Sequence, residues 1–140
     1  MSTEKNKAVV RGYIEQVWNG RRTDLIEQYM SEDVVHHDAP GLDDRDSIKN
    51  FIAMTLDSVP DVRIGIEAEI AEGDLVVLRQ SISGTPQGEF MGVPASGKQF
   101  SVPAVFVFRV AGGKIAELWG MADGLGMMQQ LGAIPTPEFG

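Results

Sequence analysis

Cysteine is absent from all 140 residues, which excludes disulfides, thiolate metal sites and cysteine nucleophiles together. Bases are scarce: 12 Lys and Arg stand against 20 Asp and Glu, for a net charge of -8, and the longest basic run is Arg21-Arg22. Nucleic acid and anionic membranes need a basic face, so neither is expected as a partner. No apolar segment of signal-peptide or membrane-spanning length follows the polar, charged stretch Met1 to Lys7, and a soluble cytoplasmic protein is the expectation. Internal repeats and low-complexity tracts are also missing. What remains, at 15.2 kDa, is the size of one domain over residues 1–140, with one hydrophobic core and one site to look for.

Helical spacing opens the chain. From Lys5 to Trp18 the residues Val10, Ile14 and Val17 recur on one face, and Asn19-Gly20 ends the run. A shorter helix follows, with Thr23 as its expected N-cap and Leu25, Ile26, Tyr29 and Met30 on its buried side. Val34 to Asp38 reads as a strand broken by Ala39-Pro40-Gly41. The acids Asp43, Asp44 and Asp46 then lead into a third helix with Ile48, Phe51, Ile52 and Leu56 on its apolar face, stopped by Pro60. Acids in a first helical turn suit the helix dipole, so this cluster calls for no metal.

The second half reads as strands. Val62, Ile64, Ile66, Ala68 and Ile70 alternate with polar residues, which predicts one half-buried strand with all five on one face. Glu72-Gly73-Asp74 turns it into a second strand, Leu75 to Ile82. Thr85 to Gly97, rich in Gly and Pro, reads as a long loop or lid. Phe100 to Val110 is the longest strand, with Val102, Ala104, Phe106 and Phe108 on one face, and Pro103 within it points to an edge or a bulge. Gly112-Gly113 suits a tight hairpin turn into a last strand. Helices gathered at one end of an antiparallel sheet make an α+β domain.

Where that last strand gives out stands Asp123, nearly alone among Trp119, Met121, Leu125 and Met128. One reading is a helix N-cap, since the residue precedes a short helical segment. The other is proton chemistry, because apolar surroundings disfavour a charged carboxylate. If the strand stays regular, Trp119, Met121 and Asp123 point to the same side.

Gly113-Lys114-Ile115, Glu117, Trp119, Asp123, Gln130-Leu131-Gly132 and Pro135 resemble the closing signature of the SnoaL-like polyketide cyclases. The resemblance continues upstream through Gly84-Thr85, Gly88-Glu89-Phe90-Met91-Gly92-Val93-Pro94 and Gly97-Lys98, and more loosely through the N-terminal helices and His37-Asp38. It implies a cone-shaped α+β barrel of the nuclear-transport-factor-2-like (NTF2-like) fold, in which a curved, mostly antiparallel sheet wraps around the N-terminal helices. It also implies a homodimer. The matching Asp in that family is the general acid/base of an intramolecular aldol closure that needs no metal or cofactor, which assigns that part to Asp123. The expected ligand is a small apolar carbonyl compound. One departure stands out: many members have Gly-Thr-His where this chain has Gly84-Thr85-Pro86, and proline offers no side-chain proton.

Of the two histidines, His36 and His37, neighbours on a strand face opposite ways, so at most one looks into a pocket. His37 falls on the family's His-Asp stretch and is the expected hydrogen-bonding partner there. Trp119, Met121, Phe106, Phe51 and Tyr13 are the expected substrate-binding residues, with core packing as the alternative for the aromatics. Gly92 to Gln99 imitates a phosphate-binding loop, but Gln99 replaces the Ser or Thr that holds magnesium and a strand follows. Two other functions stay open: a binding module on the same scaffold, and a steroid isomerase or epoxide hydrolase, the last needing a second acid and an arginine such as Arg79 or Arg109.

Overall fold

A computed structural model describes residues 2–135, so residues 1 and 136–140 of the expected 1–140 unit lie outside it. Helix α1 spans Thr3–Gly12, capped by the Ser2 hydroxyl, and continues as a wider π-helical turn over Tyr13–Asn19. Asn19 ties its end to the sheet: the side-chain amide donates to the Ile64 carbonyl at 2.8 Å and accepts from the Ile64 N–H at 2.9 Å, replacing a strand partner. A 3-10 turn, Thr23–Leu25, runs into α2, Ile26–Tyr29. Arg22, not Thr23, holds the cap position there, and no side-chain bond is made. Helix α3, Arg45–Ser58, begins on a capping box in which Asp44 and Ser47 satisfy each other's backbone N–H groups.

Among the described residues five strands join these helices, β1 between α2 and α3 and the rest after α3: β1 Met30–His36, β2 Arg63–Glu72, β3 Leu75–Gly84, β4 Phe100–Ala111 and β5 Lys114–Ala122. They form one sheet in the order β1-β5-β4-β3-β2, with β1 parallel to β5 and every other pair antiparallel. Short helix α4, Gly124–Gln130, closes the described chain. This is the expected α+β, NTF2-like arrangement. Its inner face packs Val76, Leu78, Phe108, Ile115 and Leu118 against Val10, Ile14, Val17, Ile48 and Ile52 of the helices. Gly112 and Gly113 take φ of 59° and 79°, the left-handed pair that a tight hairpin requires. Among the described residues no helix is long and apolar enough to cross a membrane.

Three local expectations change. Strand β1 starts at Met30, four residues before the predicted Val34, because pairing with β5 extends it, and Asp38 leaves it with a φ of 57°. The alternation in β2 is not continuous: the register shifts between Ile66 and Ala68 as the partner steps from Gln80 to Arg79. An extra residue in one strand reverses every side chain beyond it. Ile70 therefore faces outward, 63% exposed, while Glu69 turns inward and clasps Arg11 of α1 through two bonds of 2.8 and 2.7 Å.

Pro103 lies on neither an edge nor a bulge. Strand β4 is interior, and its pairing with β3 runs unbroken through Ser81↔Pro103. The Pro103 carbonyl faces the β5 side, where it accepts from the Asp123 N–H at 3.1 Å, just past the last ladder pair Ala104↔Ala122. The missing proline N–H points the same way, where β5 has ended, and no ladder bond is lost.

Candidate active site

Two buried clusters meet without filling the space between them. One gathers the helices and most of the sheet; the other joins Val59, Val62, Phe90, Phe100, Val102, Met127 and Leu131. Between them lies a cavity of about 220 Å³. The wide turn after α1 supplies Tyr13, Ile14 and Trp18; α3 supplies Ile48, Phe51, Ile52 and Thr55. The sheet supplies Phe106, Phe108 and Leu118, and the long loop contributes Phe90 and Met91. Two bonds from Gln87 and Gly88 to the Ser58 carbonyl dock that loop on α3, and Phe90 stacks on Phe100 with centroids 6.1 Å apart. Gly120 lets the Phe106 ring lie flat over β5, since a Cβ there would collide with the ring.

Few polar groups reach this cavity, and most are engaged. The Tyr13 hydroxyl accepts from Trp18 Nε1 at 3.1 Å, and burial pushes its pKa up to about 12, so it remains a neutral phenol. Thr55 Oγ1 donates to the Phe51 carbonyl at 2.8 Å. His36 lies edge-on to Phe106, with Nδ1 3.3 Å from the His37 carbonyl, and burial holds its pKa below the ordinary value. A neutral imidazole can accept or donate but carries no charge into the apolar space. Gln80, 2% exposed, completes the set.

The two histidines separate as strand geometry requires, and it is His36 that meets the cavity. It pairs with Leu118, which is buried on the inner face. His37 faces outward: Nε2 lies 2.7 Å from Glu117 Oε2, and the ring stacks on Trp119 at 4.8 Å with 9° between planes. Glu117 also accepts from Arg109 Nε at 2.5 Å, and the His37 bond, followed by the Arg109 bond, holds its carboxyl below the usual range. Met121 is 82% exposed on that same outer side. Of the expected binding residues the cavity therefore brings together Tyr13, Phe51 and Phe106, and not Trp119, Met121 or His37. Arg79 is exposed and Arg109 is held by Glu117; neither lines the cavity.

Asp123 sits where β5 hands over to α4, one residue beyond Ala122, a lining residue. Its carboxylate accepts from the Gly126 N–H at 2.8 Å, the N-cap geometry, and a Cβ at Gly126 would collide with that carboxylate. Gln130 anchors the other end of α4: its amide accepts from the Ser101 N–H at 2.7 Å and donates to the Ser101 carbonyl at 3.1 Å. The Asp…Gln spacing thus has a mechanical meaning: the Asp123 side chain caps α4 while its backbone N–H bonds Pro103, and the Gln130 side chain docks the far end of the helix on the stretch of β4 that β5 leaves bare. Met127 then projects into the cavity between them. Asp123 is exposed and lies at the rim rather than in the lining. Among the described residues no three His, Asp or Glu side chains are grouped as a metal ion would need.

Sequence reasoning passed over His36 and Gln80. For Gln80 a signal existed: Val76, Leu78 and Ile82 share its face of β3, so the amide interrupts an apolar alternation. For His36 there was none, since Val34 and Val35 give both faces of β1 an apolar residue.

The sequence profile of the SnoaL-like polyketide cyclases matches residues 8–131. Aklanonic acid methyl ester cyclase DnrD of Streptomyces peucetius is 28% identical over 144 residues, covering 99% of this chain and 97% of that one. Among solved structures, TsrD from Streptomyces laurentii superposes with a TM-score of 0.88 at 24% identity, over 96% of this chain and 99% of the other. Wild-type IdmH from Streptomyces antibioticus gives 0.80 at 28% identity, over 91% and 98%.

Proposed function

Since this chain belongs to the SnoaL-like polyketide cyclase family, we propose that it closes a carbon ring in a large, mostly apolar carbonyl compound by intramolecular aldol condensation, with Asp123 as general acid and base. The observation that carries the reading is the cavity itself: a nearly all-apolar chamber between helices and sheet, with a carboxylate one residue beyond its wall at Ala122. A carbon between two carbonyls gives up a proton, the new carbon–carbon bond forms at a second carbonyl carbon, and the oxygen there receives a proton. The ring closes at the aldol-addition stage, with no water lost and every atom of the substrate retained. The cavity supplies proximity by holding the two carbons together, and one carboxyl group that takes and then returns a proton suffices. Tyr13, Phe51 and Phe106 serve as walls for the substrate, as pocket aromatics do. His37, Trp119 and Met121 belong on this reading to the outer face, where we assign the homodimer contact that sedimentation equilibrium tests.

The test must separate capping from catalysis. Asn and Ser cap helices about as well as Asp, yet neither exchanges a proton near neutral pH. With the methyl ester named for the Streptomyces peucetius relative as trial substrate, Asp123→Asn and Asp123→Ser are expected to fold normally and to lose turnover by about 10²–10⁴-fold. Full turnover in both variants would reduce Asp123 to a cap. Tight binding of the ester by the wild-type protein without any ring closure would favour a binding module instead.

A further inference from the structure

Among the described residues Gln80 is the one lining polar side chain with nothing to hold. Tyr13 and Trp18 bond each other, Thr55 bonds a carbonyl of its own helix, and His36 lies against the His37 carbonyl. The Gln80 side chain makes no hydrogen bond to any described residue, although it is 98% buried from solvent and borders the cavity. Its nitrogen and oxygen are not among the sealed side-chain atoms without a partner, which in the described residues are Asn6 Oδ1 and Ser31 Oγ, so they open onto the cavity, and its neighbours on the same face of β3 are Leu78 and Ile82. A free amide opening onto an otherwise apolar wall is placed to bond a ligand and not the fold.

The register says where that ligand lies. Gln80 pairs with Ala104 on β4, and Ala104 pairs with Ala122 on β5. This row crosses the inner face with an amide at one end and two methyl groups after it. The rows on either side are bulkier at β4, where Phe106 and Val102 stand. Strands lie about 4.8 Å apart, so the row leaves a low floor about 10 Å long from Gln80 to the residue preceding Asp123. We propose that Gln80 is the specificity-determining residue of the cavity: its amide N–H donates to a ketone oxygen of a polycyclic substrate lying along this floor, fixing which end of the molecule meets Asp123.

The proposal deepens the carbonyl-substrate reading and rests on it, yet it is tested by binding alone. Fluorenone and fluorene have the same tricyclic outline and differ by a ketone against a methylene. Titration of each probe is followed by intrinsic tryptophan fluorescence, to which Trp18 contributes from the cavity wall. Wild-type protein is expected to prefer fluorenone by about tenfold. Gln80→Met, which keeps length and most of the volume, should bind fluorene at least as well and lose the preference. A purely structural glutamine would lower the melting temperature and leave the ratio unchanged, which overturns the proposal. So would a wild-type protein with no preference, or one that binds neither probe; this outcome holds even if Gln80→Met does not fold. Turnover of the Asp123 variants decides ring closure and the probe ratio decides Gln80, so either can fail alone.

Discussion

The two faces of the sheet are built from similar residue types and put them to opposite uses. On the inner face His36 stands against Phe106, with Gln80 elsewhere in the same cavity wall, and burial favours the neutral imidazole. On the outer face His37 stacks on Trp119 and is hydrogen-bonded to Glu117, which Arg109 holds from the other side. The two histidines are adjacent in sequence. The difference teaches that chemistry here follows side-chain direction and not sequence position: one imidazole belongs to an apolar chamber, the other to a half-exposed hydrogen-bonded network.

The comparison breaks most readily on β4, where Val107 and Phe108 face opposite ways. Phe108 is 1% exposed and touches Tyr13 edge-on at 6.2 Å. Phe108→Ala is expected to cost about 3–5 kcal/mol in urea unfolding, against about 1 kcal/mol or less for Val107→Ala. Equal costs would mean that both faces are core.

The outer face carries Ile70, Val105 and Met121, which are 63%, 47% and 82% exposed. If a second copy covers them, Met121→Asp brings two like charges to a two-fold contact and weakens the dimer by about tenfold or more. Sedimentation equilibrium reads this directly. An unchanged association constant would move the dimer elsewhere and leave the outer face to solvent.

The smallest contrast is in pH dependence. The His36 pKa is lowered on folding, so the unfolded chain binds more protons below its ordinary value of 6.5; stability is full above that value and falls as the pH drops towards the lowered one. Glu117 has a carboxyl held below its ordinary 4.5, and its contribution is present above that value and lost as the pH falls through the lowered one. Urea titrations at stepped pH should therefore show His36→Gln flattening the slope just below pH 6.5, and Glu117→Gln flattening only the slope below 4.5. Identical profiles would erase the distinction between the faces.

The sequence alone determined the kinds of element and most of their order. Helical spacing from Lys5 to Trp18, alternation in β3 and β4, the Gly112-Gly113 turn and the acids that lead into α3 depend on neighbours within a few residues, and local chemistry decides such features. The segment after Asp123 likewise read as a short helix with Asp123 in position to cap it, the arrangement α4 adopts. Tertiary structure decided what depends on pairing partners. The bulge after Ile66 reversed the end of β2, and the early end of β5 made room for Pro103. The parallel pairing of β1 with β5 sent His36 inward and His37 outward. A one-residue shift in pairing exchanges the two faces of a strand while leaving its local preferences untouched, so the residues that border the cavity were fixed only when the sheet closed.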